Sequence, residues 1–377
     1  MVMMTILAVK GDKMCRTITG PIANKINFMP LFFLLLIIAI LGQPIAHAQP
    51  LSDFDIWLEH LKNEALNEGI SAPTLESALS GLTPNPKVIE LDRRQPEFTQ
   101  TYQDYISRRV SETRIARGHE KIRQHQAALN KVAQEYGVPG RFIAAIWGME
   151  TNYGSYTGGY SVIRSLATLA HDTRRPAFFR AQLIAALKII DQGHITQDNM
   201  KGSWAGAMGQ SQFMPSSFLD YAADNDGDGR KDIWTNETDV FASIANYLTR
   251  HGWRKGETWG REVRLPPDSE ALWHKVKLKE QPKRCRRALK HHSQQLSLAD
   301  WQALGVRRHD GGDLPIEAGN GIPASLILPA GLNGPAYLTY PNFRMILRYN
   351  CSNYYALGVS LLANELILKE DNNTQTP

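Results

Sequence analysis

From Leu51 to about Tyr136, apolar residues recur at three- and four-residue steps. Phe54, Trp57, Leu58, Leu61 and Ala65 share one helical face, and Ile122, Leu129, Val132 and Tyr136 repeat the pattern. Ser71 with Pro73 reads as a helix start, and Gly137 with Pro139 as a stop. The next segment departs from one-sided amphipathicity: Phe142 to Met149 carries no charge, so a helix there is buried on nearly all sides, and Glu150 ends it. A Gly/Tyr-rich loop is expected from Thr151 to Ser161, followed by a helix through Phe178 to Ile190. Between about 257 and 340 the period changes. ASLILPAG and PAYLTY read there as short strands between Gly/Pro turns, a small β-containing insertion. Asn350 to Leu368 returns to helix, and the polar stretch Glu370 to Pro377 reads as disordered. The pattern predicts an α+β chain, mostly α-helical, without internal repeats.

The amino end belongs to none of these elements. An apolar run from Leu31 to Leu41 is followed by Gly42-Gln43-Pro44 and then Ala46-His47-Ala48. The run is too short to span a bilayer and a small-residue site follows it, so it reads as a secretory signal cleaved after Ala48 rather than an uncleaved anchor. The residues before Met29 make an overlong leading region and leave the true start open. Removing 1–48 leaves 38 basic against 36 acidic residues, a net charge near +2 instead of the +5 of the whole chain. That balance argues against nucleic acid as a partner. One basic cluster remains, Lys283-Arg284-Cys285-Arg286-Arg287 with Lys290, His291 and His292. It reads first as a solvated face, although an anionic polymer would suit it. Cys15 leaves with the signal. Cys285 and Cys351 remain in an oxidising compartment, far apart in sequence, and their pairing is left open. No cysteine follows the cleavage site to carry a lipid.

Candidate chemistry concentrates in three places. Glu150, in the last turn of an apolar helix, meets both desolvation and the negative end of the helix dipole, which raise a carboxyl pKa towards that of a general acid. A buried glutamate with one satisfied hydrogen bond is the rival reading. Gly202 to Phe218, GSWAGAMGQSQFMPSSF, sets Gly and Ala around Trp, Gln and Ser203, so a flat ligand can approach the backbone and find hydrogen bonds for hydroxyl and acetamido groups. Tight helix packing is the alternative there. Gly209 to Phe213 misses the nucleophile elbow by its last residue, which excludes a serine hydrolase of that type. Asp224, Asp226, Asp228, Gly229 and Asp232 reproduce the front of an EF-hand, with Gly227 between them. Position twelve is Thr235 rather than Glu, so Asp239 is expected to close a longer loop, and also to cap a helix from Val240 to Arg250. The oxygen-rich set favours Ca²⁺ over Mg²⁺.

GMETNYG, GSWAGAMGQSQFMPSSF, DNDGDGRKDIW, IANYLTRHGW and RYNCSNYYALGV, in this order, resemble the lytic murein transglycosylase B family, and the resemblance runs from about Leu51 to Leu368. It implies a lysozyme-like core at 138–256, a helical domain at 49–137, the inserted domain at 257–340, a helix returning to the core at 341–368 and a tail at 369–377. In such a protein Glu150 is the single catalytic acid/base and Ser203 hydrogen-bonds it. Gln212, Tyr247, Tyr349, Asn350 and Tyr355 line the glycan groove, with Phe178 at an aromatic position often held by Tyr. Asp224, Asp226, Asp228, the Arg230 carbonyl and Asp239 hold a structural Ca²⁺, and no organic cofactor is expected. The activity implied is cleavage of the β-1,4 bond between N-acetylmuramic acid and N-acetylglucosamine with 1,6-anhydromuramyl ends. A hydrolytic muramidase and a non-catalytic calcium-stabilised glycan binder are the rivals. The partners implied are peptidoglycan glycan strands and other cell-wall enzymes, met by a periplasmic monomer with no transmembrane anchor after signal cleavage.

Overall fold

Side-chain caps mark the helix starts of the first third of the chain. In the computed structural model, residues 52–94, 100–280, 282–316 and 321–368 are described, so the expectations for the signal at 1–48 and the tail at 369–377 lie outside the described residues. Helix α1 (Asp53–Asn67) begins in a capping box between Ser52 and Asp55 and buries Phe54, Leu58, Leu61 and Ala65. Ser71 caps α2 (Ala72–Leu79) and Asn85 caps α3 (Pro86–Arg93), each with Pro in the first turn, where a missing N–H does no harm. Then come α4 (Tyr102–Arg109), α5 (Glu112–Gln124) and α6 (Gln126–Tyr136), the last closed by Gly137 at φ +71°.

Helix α7 (Gly140–Thr151) is buried from Phe142 to Met149, as its lack of charge predicted. It is followed by β1 (Tyr160–Ser161), α8 (Val162–His171) and α9 (Pro176–Asp191), then β2 (Lys201–Gly202), α10 (Pro215–Tyr221) and α11 (Glu237–Arg250). Helix α8 was not expected as a separate element. The cap of α11 is Asn236, whose side chain accepts from the Thr238 and Asp239 amides, so Asp239 is not the helix cap it was expected to be. The carboxylate of Asp239 turns back to the loop before the helix, where it accepts the Asn225 and Asp232 amides, and Asn236 takes the capping position. The helices of 53–136 bury residues in the same core as α7, so Gly137 marks a turn in the chain and not a gap in packing.

One ion cluster fastens α3 to the turn between α8 and α9. Asp92 is 1% exposed and receives Arg174 at 2.8 Å and Arg175 at 2.6 Å. Asp92→Ala leaves two guanidinium groups without their anion, and urea unfolding should show a loss of about 2–3 kcal/mol. Arg94→Ala, at an exposed pair with Glu90, should change stability by less than about 0.5 kcal/mol.

The insertion carries a core of its own around Val263, Trp301 and Leu338. Its antiparallel sheet has the order β4-β3-β6-β5, from β3 (Gly260–Arg264), β4 (Arg307–Arg308), β5 (Ser325–Ile327) and β6 (Ala336–Thr339). Leu326 stands opposite Leu338, and Val263 opposite both Arg308 and Ala336. The two strands expected here are β5 and β6. The polar β3 and β4 and the helices α12 (Ser269–Val276), α13 (Arg286–Leu289) and α14 (Leu298–Ala303) were not legible. The chain then forms α15 (Pro341–Tyr349) and α16 (Asn353–Glu365), and α16 packs against α7. No helix among the described residues is long and apolar enough to cross a membrane.

Candidate active site

Glu150 stands at the last turn of α7, where the buried helix reaches the surface of the core. Immediately afterwards Asn152 and Tyr153 adopt left-handed backbone, at φ 50° and 60°, which turns the chain away sharply and leaves Glu150 at the corner. Tyr153 is held in that conformation by burial and by its hydroxyl, which donates to the Arg114 carbonyl at 3.1 Å. The Glu150 carboxylate accepts a hydrogen bond from the Tyr355 hydroxyl at 2.6 Å. Desolvation pushes its pKa up to about 7, against the opposing pull of the Tyr355 hydroxyl and the Arg109 guanidinium. The neighbouring phenols of Tyr349 and Tyr355 are themselves raised well above 10 by burial and by the nearby carboxylate, so both stay neutral donors.

The Gly-rich segment is drawn onto this corner by close backbone approaches. β1 pairs with β2, Tyr160 opposite Gly202, and Gly158 packs against the Gly202 carbonyl so closely that a Cβ has no room. Ser203 follows, its hydroxyl accepting the Ala207 amide at 3.0 Å. The hydrogen bond that Glu150 makes therefore comes from Tyr355, and not from Ser203 as expected; the tight turn 203–207 engages the serine oxygen locally. Gln212, at φ 51°, donates to the carbonyls of Thr157 and Gly209, which closes the loop after Glu150 against the segment before α10. Thr151 adds a hydroxyl bond to the Gln210 carbonyl at 3.0 Å.

Of the expected aromatic residues, Tyr349 and Tyr355 stand at the corner itself. The Tyr349 hydroxyl donates to the Ser211 carbonyl at 2.7 Å and joins the Gly-rich segment to α15. Tyr247 is 8% exposed and stacks on His251 at 4.1 Å between ring centroids, and its hydroxyl donates to the Arg348 carbonyl. It supports Tyr349, 4.8 Å away ring to ring. Asn350 is exposed at the end of α15. Phe178 is 48% exposed in the first turn of α9, edge-on to Phe179, and its ring contacts do not connect it to Glu150. The sequence reading missed Arg109 and Tyr105 on α4, which both interact electrostatically with Glu150. They lie 41 and 45 residues upstream, in a helix whose pattern carries no signal of chemistry.

Beside this corner the aspartate loop folds back on α11. One carboxylate oxygen each from Asp224, Asp226 and Asp239 lies within 4.8 Å of the others. Asp239 is fully buried and receives the amides of Asn225 and Asp232, both at 2.8 Å. Burial pushes its carboxyl up, those two amides pull it down, and Asp226 and Asp224 push it up again. Asp228 stands apart from this convergence: it takes the Arg230 amide at 2.8 Å and pairs with the Arg230 guanidinium. Cys285 and Cys351 form a disulfide, Cα atoms 5.0 Å apart.

The chain matches the family described as Transglycosylase SLT domain over residues 53–364. It is 34% identical over 249 residues to membrane-bound lytic murein transglycosylase B of Escherichia coli K12, an alignment covering 65% of this chain and 62% of that protein's length. Among solved structures it resembles SltB3 of Pseudomonas aeruginosa in complex with NAG-NAM-pentapeptide, at TM-score 0.76 and 45% identity, over 83% of this chain and 79% of that one. It also resembles the Escherichia coli lytic transglycosylase Slt35 in complex with calcium, at TM-score 0.69 and 29% identity, over 86% and 97% of the two chains.

Proposed function

The chain belongs to the transglycosylase SLT-domain family, on the lytic murein transglycosylase B-like branch, and we propose that it cleaves peptidoglycan glycan strands between N-acetylmuramic acid and N-acetylglucosamine, leaving 1,6-anhydromuramyl ends. The observation that carries this reading is Glu150, desolvated to a pKa of about 7, hydrogen-bonded by Tyr355, and influenced by Arg109 with no second carboxylate among the described groups that shift it. A two-carboxylate glycosidase needs a partner acid to activate water or attack the sugar. A single acid suffices when the sugar supplies its own nucleophile. Glu150 gives its proton to the glycosidic oxygen as the bond to C1 breaks, and the substrate acetamido group stabilises the cationic centre. The Glu150 carboxylate then takes the proton of the C6 hydroxyl as that oxygen bonds to C1, which returns Glu150 to its starting state.

The remaining residues orient. Ser203 keeps its hydroxyl proton for the reacting carboxyl or sugar, while Gln212 and Asn350 offer amides to acetamido groups and Tyr349 and Tyr355 offer ring faces. The converging carboxylates of Asp224, Asp226 and Asp239, with Asp228 and the Arg230 carbonyl in the same loop, fit a hard cation of the size of Ca²⁺, whose chemistry here is structural. That loop lies between the Gln212 segment and α11, so it fixes two sides of the groove. Secretion through the signal at 1–48 would deliver the enzyme to the periplasm.

Mass spectrometry of digested sacculi tests the reading. Anhydro-ended muropeptides, one water lighter than reducing-ended ones, are the expected product; reducing ends would make it a hydrolytic muramidase, and no release a glycan binder. Ser203→Ala should lower kcat by about tenfold or more, the worth of one hydrogen bond to a charged group, while KM stays within about twofold. Steady-state kinetics showing only a raised KM would make Ser203 a ground-state contact.

A further inference from the structure

The turn between α15 and α16 carries both tyrosines of the corner on its flanks, Tyr349 before it and Tyr355 after it, and it is tied to the inserted domain at two points. Cys351 is bonded to Cys285, the residue that starts α13. Two residues on, the Asn353 side-chain amide donates to the Ala288 carbonyl at 2.9 Å, and its oxygen accepts from His292 Nε2 at 2.9 Å. That acceptor assigns the Nε2–H tautomer, and burial holds the His292 pKa down at about 4, so the contact does not change between pH 5 and pH 8. His292 is 1% exposed and its Nδ1 has no partner, so the bond to Asn353 is the hydrogen bond that its buried ring makes.

We propose that the inserted domain positions the catalytic acid, with Cys285–Cys351 and His292–Asn353 forming a clamp on the first turn of α16 that keeps the Tyr355 hydroxyl on Glu150. The first turn of a helix is where fraying begins, because its amides have no intrahelical partners. The cap that α16 does have is long: Ser352 Oγ accepts the Tyr355 amide at 3.4 Å. Tyr355 sits in that same turn, and its 2.6 Å bond to Glu150 tolerates little displacement. The disulfide four residues before it and the Asn353 contacts two residues before it supply what the cap lacks. Cys285, Cys351, His292 and Asn353 are thus positioning residues, and the proposal rests on Glu150 being the acid.

The readout is the titration of Glu150 itself, followed by carbon-13 resonance of its carboxyl and assigned by its loss in Glu150→Gln. The groups facing Glu150 are Tyr355 on α16, Tyr349 on α15, and Arg109 and Tyr105 on α4. The Tyr355 hydroxyl favours the carboxylate, so losing it raises the midpoint, and Tyr355→Phe should show that rise. Cys285→Ser with Cys351→Ser should raise the midpoint in the same direction and lower kcat by about tenfold, with KM within about twofold. In a Tyr355→Phe background the two serines should add no further rise. An unchanged midpoint in the folded serine variant, or an equal rise in both backgrounds, overturns the proposal. If the serine variant does not fold, Asn353→Ala with the disulfide intact decides by the same titration, a rise supporting the clamp and an unchanged midpoint overturning it. The titration needs no turnover, so an inactive wild-type protein would refute the glycan-cleaving function and leave the clamp to be judged by the midpoints.

Discussion

Glu150→Gln should abolish glycan cleavage while leaving the melting temperature near that of the wild type or above it. The amide keeps the size of the side chain and can still accept from Tyr355 at the 2.6 Å position, but it cannot release and recover a proton. Loss of a general acid–base group lowers turnover by about a hundredfold or more, and retention above roughly 1% of wild-type kcat on purified sacculi would exclude Glu150 from that role. The pH profile adds a second check. Free enzyme must carry the proton on Glu150, whose pKa is raised to about 7, so kcat/KM should fall as pH rises through that value. The same shift bears on stability. The unfolded carboxyl ionises at its ordinary 4.5, so the contribution of Glu150 to stability is fullest below that pH and declines as pH rises towards 7. Glu150→Gln removes the decline, and its advantage in melting temperature should be visible at pH 8 and vanish near pH 4.

Calcium should raise the melting temperature of the metal-stripped protein, with Mg²⁺ doing so much less. Three carboxylate oxygens within 4.8 Å repel one another, and a cation that binds only the folded state stabilises it by mass action, by about 2.7 kcal/mol at a hundredfold excess over Kd. The smaller Mg²⁺ requires near-octahedral geometry and gives up its water reluctantly, which an open aspartate loop does not repay. The variants separate the ligands. Asp226→Ala should erase the calcium shift, because Asp226 belongs to the converging set; Asp228→Ala alone should only reduce it, since Asp228 pairs with Arg230. Asp239→Ala should also destabilise the protein without metal, as it strands the amides of Asn225 and Asp232. Melting curves identical in Ca²⁺ and in chelator would rule out the site.

Much of the candidate site was legible because its chemistry is local. A charge-free run ending in one glutamate predicts a buried helix and a desolvated acid, and α7 with Glu150 is that arrangement. Alternating aspartates predict a cation loop from spacing alone, and three of the five expected ligands converge through their carboxylates. Other parts depended on pairs far apart in sequence. Tyr355, expected as a groove residue, is the hydrogen-bond donor to Glu150 across 205 positions, while Ser203, expected in that place, gives its oxygen to the amide of Ala207. Phe178, expected in the groove, meets its own helix neighbour Phe179 edge-on. Strands β3 and β4 are rich in arginine and become strands only because β6 supplies β3 with an apolar partner on one side, and β3 in turn pairs with β4 on the other.

The sequence by itself determined several helices with one-sided or all-round apolar faces, the capped start at Ser71, the buried glutamate that is the candidate acid, and the oxygen-rich loop. Each of these follows from residues within a few positions of one another, where side-chain type and spacing decide burial and hydrogen bonding. Only the tertiary structure decided which hydroxyl reaches Glu150, that Arg109 and Tyr105 of an upstream helix act on it, that Asp228 turns from the cluster to Arg230, and that Cys285 meets Cys351. These are contacts whose partners are brought together by packing of the whole core, and a pairing between distant residues leaves no period in the chain from which it can be read.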